Sequence, residues 1–407
     1  MEAREESRTE NAEEGAARRR PAIGSRITEE MLDDLRSRFG KRQPVHRQWN
    51  TGASYDTIRH FAEGIGDMNP LWLDRQYAES SPWRRIWAPP TYVAGMGYVG
   101  TSGLRGIHAV GSGVAYTFHR PIYEGDEIAA DMAIVDLVKH EGRLADVMYR
   151  QIEQLRFVNQ DGVLVAEAEW SAMRFERDHA REKLDEKRGR YAGRPLARYT
   201  PDGIKGIDEE YAREERRGAV PLYWEDVAVG DYIPHVVKGP LRLTDIICFL
   251  MGAGGPYIRA HAFDRVFRAE HPAAYVTNAQ GIPDNVESVH WEKDLAEGIA
   301  TPGVYDYGTE RPSWYAHALG NWMGDHGWIE YLSTELRGLN VVGDTTRIHG
   351  RITDRLVREG SHLVELDMWS QNQIGEITSR GKARVRLPGR EAGDAGAAPE
   401  LAYRPGA

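Results

Sequence analysis

The sequence predicts two α+β domains of one fold, joined in tandem. Three observations carry this. The chain has 407 residues, enough for two domains of ordinary size. Its halves match at a constant offset of 218 positions: Ala78 with Ala296, Gly125-Asp126 with Gly343-Asp344, and Glu141-Gly142 with Glu359-Gly360. A gapless match over roughly 70 positions marks an internal repeat. Each half also repeats one order of elements: a short helix, a motif segment, a second helix, then a run of alternating strands. A helix with a meander of long antiparallel strands is an α+β architecture.

The elements follow in order. Residues 1–25 are rich in Glu, Arg and Ala without periodicity and are expected to be disordered. The first copy takes residues 26–175. Ser54 can cap its first helix, and Ile58, Phe61, Ala62 and Ile65 supply the apolar stripe. Gly64 and Gly66 end that helix. A motif segment runs from Asp67 to Pro90, and a second helix follows. Ile134–Val138, Leu144–Glu153 and Leu164–Met173 alternate as strands, with Asn159-Gln160-Asp161-Gly162 as a turn. Residues 176–221 are dense in charge and form a connection across the surface, partly helical.

The second copy takes residues 222–388. Thr244 is the expected cap of its first helix, Ile247, Leu250 and Met251 line one side, and Gly252, Gly254 and Gly255 end it. A second helix follows Gly308. Strands are expected at Thr346–Ile352, His362–Trp369 and Ile377–Leu387, with Glu359-Gly360 as a turn. Residues 389–407 read as a disordered tail. The first helices match at an offset of 188 (Phe61-Ala62 with Phe249-Leu250), so the second copy has gained 30 residues, roughly 256–285. An insertion of that length is expected to be a lid or binding loop.

Composition narrows the function. A net charge of −10 argues against nucleic acid as a partner. No apolar run approaches the length of about 18 that spans a bilayer. Arg18-Arg19-Arg20 has no apolar stretch behind it, so no secretory signal is read and a cytoplasmic protein is expected. The lone Cys248 excludes a disulfide framework and a cysteine metal site, and reads as a buried small residue. Neither metal nor cofactor is expected.

The motif residues point to a family. Asp67-Met68-Asn69-Pro70-Leu71, set within Ile65–Asp74, resembles the signature of the MaoC-like hot-dog hydratases and dehydratases. That signature runs Gly-Asp-x-Asn-Pro-Leu-His-x-Asp, with alanine six and glycine eighteen residues after the histidine. The second copy matches the later half, as His290, Ala296 and Gly308. Ala88-Pro89-Pro90-Thr91 resembles the N-terminal half of two-domain members, and Val227-Ala228-Val229-Gly230-Asp231 the opening of their second half. The resemblance covers residues 40–175 and 222–388. It implies a tandem (double) hot dog, each copy a central helix wrapped by a curved antiparallel sheet. It further implies addition of water to a 2-enoyl thioester, or its removal from a 3-hydroxyacyl thioester. An Asp and a His then handle water and proton, and a glycine amide holds the thioester oxygen.

Against that chemistry the copies differ. The thioester oxygen needs a preorganised N–H, which the start of a helix supplies. Gly308 can offer one; Pro90 cannot. Trp72 stands where His290 stands, and an indole shuttles no proton. The first copy is therefore expected to be non-catalytic, with Trp72 packing the core or shaping an acyl pocket. His290 is the expected acid/base. The carboxylate is open. The family's Asp falls on Asn285, leaving Asp284 as first choice, then Glu287 and Asp306. Trp291, Tyr305, Tyr307 and Trp314 crowd the motif and either narrow a substrate pocket or belong to the core. Arg311 is a candidate for a ligand phosphate or carboxylate, or else a solvated side chain.

A hot-dog thioesterase, with Asp306 activating water, and a non-catalytic acyl-thioester-binding subunit are the alternatives. The expected partner is an acyl thioester, on CoA or an acyl carrier protein. The chain is expected to form a homodimer or larger homo-oligomer.

Overall fold

The computed structural model describes residues 26–45, 48–97, 103–104, 106–140, 148–176, 191, 194–255, 257–299 and 301–390. The tail expectations for 1–25 and for 391 onward lie outside these, as does 177–190 of the connection. The first copy contributes strands β1 (Gln43–Pro44), β2 (His108–Phe118), β3 (Ile128–His140), β4 (Met148–Asn159) and β5 (Leu164–Phe175). The insertion carries a small hairpin, β7 (Tyr275–Thr277) with β8 (Pro283–Asn285). The rest of the second copy supplies β6 (Val236–Lys238), β9 (Trp328–Leu336), β10 (Thr346–Arg358), β11 (Ser361–Asn372) and β12 (Ile377–Arg386).

Apart from the hairpin, these strands form one antiparallel sheet in the order β1-β3-β4-β5-β2-β9-β12-β11-β10-β6. The second five mirror the first. This is a double hot dog: each half-sheet curls around its own central segment, Pro90–Gly95 in the first copy and the helix Arg311–Met323 in the second. Every residue of the latter helix is buried.

The repeat is exact in detail. β3 and β10 share their bounds at the offset of 218, and both bulge at the same place, Ile134/Asp136 and Ile352/Asp354. Gly125 and Gly343 both turn with positive φ (96° and 98°), where a Cβ would be strained. The following aspartates accept equivalent backbone N–H groups, from Tyr123 and Val341. Ala78 and Ala296 are each fully buried in short helices beneath their motif loops.

Two close backbone approaches stand out among the contacts that join the copies. β2 pairs with β9, from Gly113 opposite Glu335 to Thr117 opposite Tyr331. Gly113 permits this approach, since a Cβ there would lie 2.4 Å from the Thr334 carbonyl oxygen. The helices Tyr55–Ile65 and Leu243–Ala253 also cross, at Gly64 and Gly252, which match at the offset of 188. A Cβ on Gly252 would lie 2.6 Å from His60 O and Phe61 Cα; one on Gly64, 2.9 Å from Cys248 O. Ile58, Phe61, Ile246 and Phe249 are buried beside the crossing. Full burial of such a side chain contributes roughly 1.5–3 kcal/mol.

Several expectations change. Strands β2 and β9 were not legible. Their glycines and mixed polarity break the alternation, because the seam selects for close approach rather than for one wet face. The second copy's first helix starts at Leu243, not after Thr244; the Asp245 carboxylate reaches back to the Arg242 N–H (2.7 Å). Its buried side is Ile246, Phe249, Gly252 and Ala253, while Ile247 and Met251 are exposed. Cys248 is only half-buried. The insertion is structured, with a helix His261–Glu270 ahead of its hairpin. Part of the connection is the helix Pro201–Ala212, capped by Thr200. Among the described residues no helix is long and apolar enough to cross a membrane.

Gly64→Ala and Gly252→Ala should each cost about 2 kcal/mol, as overpacking does. In the connecting helix a Cβ on Gly206 meets nothing within 4 Å, so Gly206→Ala should gain up to about 1 kcal/mol. Denaturant midpoints at unchanged slope are the measurement.

Candidate active site

The motif loops of the two copies share a backbone. Asp67 Oδ1 accepts the Asn69 N–H (3.1 Å), and Asn285 Oδ1 accepts the Glu287 N–H (3.0 Å). In the second copy this turn opens the 3-10 helix Val286–His290, which delivers His290. The imidazole Nδ1–H donates to the Tyr305 carbonyl (2.9 Å), a tautomer assigned from that partner. Nε2 is thereby left with its lone pair. The ring stacks on Tyr307 (centroids 3.9 Å, 24°) and meets Tyr305 edge-on (4.6 Å, 61°). Burial pushes the imidazole down to about 4, against the smaller opposing pull of the Tyr305 carbonyl and Asp306. His290 is therefore neutral at physiological pH.

Gly308 lies in the turn just before the helix that begins at Arg311. Among the described residues no hydrogen bond takes its N–H. A Cβ there would run 2.5 Å from Leu336 Cδ1, so glycine lets β9 close over the turn. An apolar crevice in the first copy, walled by Val93, Gly97, Val114, Leu155, Phe157 and Ala168, reaches this turn at Thr309. Neither His290 nor Gly308 itself lines that crevice.

The three carboxylates are placed differently. Asp284, half-buried in β8, accepts the backbone N–H and side-chain amide of its own neighbour Asn285 (2.7 and 3.2 Å). Asp306 is fully buried and held by Arg311 in a two-point ion pair (2.7 and 2.8 Å), with Asn340 Nδ2 at 2.9 Å. Glu287 is buried beside the histidine's aromatic wall. Its Oε2 accepts the Tyr307 hydroxyl (2.8 Å) and its Oε1 the Tyr257 N–H (3.0 Å). Burial raises the Glu287 carboxyl above its ordinary range, outweighing those hydrogen bonds and nearby Arg259.

The first copy's site is walled by tryptophans, which leave only a small cavity beside Asn69 and Pro90. Trp72 is buried edge-on against Trp87 (5.6 Å, 89°), the counterpart of Tyr305. Trp83 and Trp328 extend the cluster. Asp67 remains, 3.7 Å from His317 Nε2 of the other copy's central helix. His317 bonds to Glu214 (2.8 Å) and accepts Lys238 Nζ–H at Nδ1 (2.7 Å). Burial works to raise the Glu214 carboxyl, but His317, Asn321 and Lys238 pull it down to about 2. Glu214 comes from the connection, so the linker seals this site. His317, Lys238 and Glu214 carried no signal in the sequence, because three separate segments bring them together.

The family model described as the FAS1-like dehydratase domain region matches residues 45–168. A UPF0336 protein of Parafrankia sp. is 33% identical over 118 residues, covering 27% of this chain and 75% of that protein. The chain belongs to the MaoC-like hot-dog dehydratase family. A probable enoyl-CoA hydratase alpha subunit of Thermomonospora curvata is 29% identical over 139 residues, covering 29% of this chain. The match spans 43% of that relative's length. Among solved structures, a MaoC-like dehydratase superposes with a TM-score of 0.60 at 15% identity, covering 87% of this chain and 99% of its own. A conserved hypothetical protein of Mycobacterium tuberculosis, described as a double hot dog, gives 0.52 at 11% identity, covering 88% and 98%. These two share the fold.

Within this MaoC-like chain the structure brings His290, Tyr305, Tyr307 and Glu287 together, and leaves Trp291 half-buried at the end of the 3-10 turn. Trp314 is core. Asp284, the first choice from sequence, instead folds back on Asn285, because hairpin pairing with Val276 fixes its backbone. Arg311 is neither solvated nor free for a ligand: it is buried, holds Asp306, and donates to the Gly338 and Thr378 carbonyls. Asp306 is likewise committed to that pair.

Arg311→Met leaves Asp306 buried without its cation and should cost about 3 kcal/mol or more of folding stability. Equilibrium unfolding checks this. A ligand-contacting Arg311 would instead raise KM at unchanged stability.

Proposed function

We propose that the second copy adds water to a 2-enoyl thioester, or removes it from a 3-hydroxyacyl thioester, on CoA or an acyl carrier protein. One observation carries this reading: a neutral imidazole and a glycine N–H stand in the same motif unit, and among the described residues no hydrogen bond claims the imidazole Nε2 or that N–H. In the forward direction Nε2 removes a proton from water as the oxygen attacks C3. Charge builds on the thioester oxygen, and the Gly308 N–H at the foot of the central helix is suited to meet it. The reaction moves a proton and a hydroxyl and changes no cofactor's oxidation state.

The first copy supports this without reacting. Trp72 and Pro90 remove the proton carrier and the donor, while the apolar crevice that ends at Thr309 offers the acyl chain a dry wall. The relative described as a probable enoyl-CoA hydratase alpha subunit favours the same substrate class. A thioesterase reading needs a free Asp306, and the ion pair with Arg311 speaks against it.

With an enoyl-CoA, the conjugated thioester absorbance should fall without release of free thiol. His290→Ala should lower kcat/KM by about 10²–10⁴, the usual weight of a general base, at an unchanged denaturation midpoint. Trp72→Phe should alter only KM or chain-length preference. Because the base is neutral above its lowered pKa, kcat/KM should hold down to about pH 5 and fall through a limb near 4. A limb near the ordinary histidine value, or an unchanged rate in His290→Ala, would remove His290 from the mechanism.

A further inference from the structure

We propose that Glu287 is the catalytic carboxylic acid of this site, moved two residues along the motif from the place where the family's aspartate stands. The inference rests on the hydratase reading above. It begins with the internal repeat. The first copy reads Asp67-Met68-Asn69, and the second, at the same register, Asn285-Val286-Glu287. Carboxylate and amide have exchanged places.

The exchange leaves the loop intact. Asn285 Oδ1 caps the turn as Asp67 Oδ1 does, so the amide keeps the structural half of the aspartate's work. It has no ionisable proton to give or base to take one. Glu287 is not a solvated substitute: only 5% of it is exposed. Tyr307 ties it to the imidazole, with its hydroxyl on Glu287 and its ring against His290. The start of the insertion holds it from the other side, through the Tyr257 N–H. Gly255 makes room, since a Cβ there would stand 3.0 Å from Glu287 Oε2. In the first copy, which has no such insertion, Asn69 simply caps the helix Pro70–Leu73. The insertion and the relocated carboxylate therefore belong together.

The chemistry balances with two neutral groups. His290 Nε2 takes one proton from water as the new C3–O bond forms. The C2=C3 electron pair moves toward the thioester oxygen. As the carbonyl reforms, C2 takes the Glu287 proton, leaving a carboxylate. The imidazolium then gives up its proton and the carboxylate regains one, each by exchange with water. The net addition is H and OH. Burial favours the starting state of both partners, since it disfavours charge on each.

The test uses the full chain and an enoyl-CoA. Glu287→Gln should lose at least 100-fold in kcat with KM within threefold, and any alkaline limb of the pH profile should vanish from the residual activity. Glu287→Asn should be as poor. Adding Asn285→Asp to Glu287→Asn restores the order of the first copy and should recover at least tenfold. Denaturation midpoints establish that each variant is folded. Glu287→Gln within threefold of the parent, or no recovery in the double variant, overturns the proposal. If His290→Ala is inactive in the same assay, such a failure is confined to Glu287. If His290→Ala is also unaffected, the hydratase reading itself fails.

Discussion

The crossing of two helices at Gly64 and Gly252 is the constraint on which the rest of this molecule depends. Each glycine lets the opposite backbone approach to a distance that no Cβ would allow. The pair is symmetric in sequence, in position and in what it touches, and so defines an internal two-fold relation. Once that axis is set, β2 and β9 meet edge to edge and the half-sheets become one. Free strand edges that would invite pairing elsewhere are thereby consumed at the seam. The same relation places the central helix Arg311–Met323 beside the first copy's motif loop, which is how His317 comes to stand near Asp67.

Duplication allowed the two sites to diverge under one scaffold. In the first, Trp72 and Pro90 stand where the second has His290 and Gly308. The space is walled by tryptophans on one side and by the Lys238, His317 and Glu214 network on the other. A buried network of that kind is tolerable because its members satisfy one another. In the second, the polar groups were kept few. His290 faces aromatic rings and a carbonyl, and Glu287 a hydroxyl and a backbone N–H.

Arg311 and Asp306 show how adjacent charges can serve different ends. They flank Gly308 in sequence, as site residues would. Their two-point pair, with the Asn340 amide and the Gly338 and Thr378 carbonyls, instead anchors the start of the central helix to the sheet. That anchoring keeps the glycine turn in place without contributing a group to it.

Much was legible from the amino acids alone. The offset of 218 disclosed the duplication, because equal spacing of turns, glycines and buried alanines survives when surface identity does not. The stripe Ile58, Phe61, Ala62 and Ile65 and the Ser54 cap followed from local periodicity and backbone chemistry, which short stretches of chain dictate, while the His290 and Gly308 register came from the family resemblance. The seam strands, the surroundings of Asp284, Glu287 and Asp306, and the burial of Arg311 were decided only by the tertiary structure. Each depends on what a distant segment brings: β9 to Gly113, the insertion to Glu287, Asn340 and the sheet to Asp306. Spacing tells which side chains a chain possesses; burial and partners, which come from elsewhere in the chain, decide which of them stay free to react.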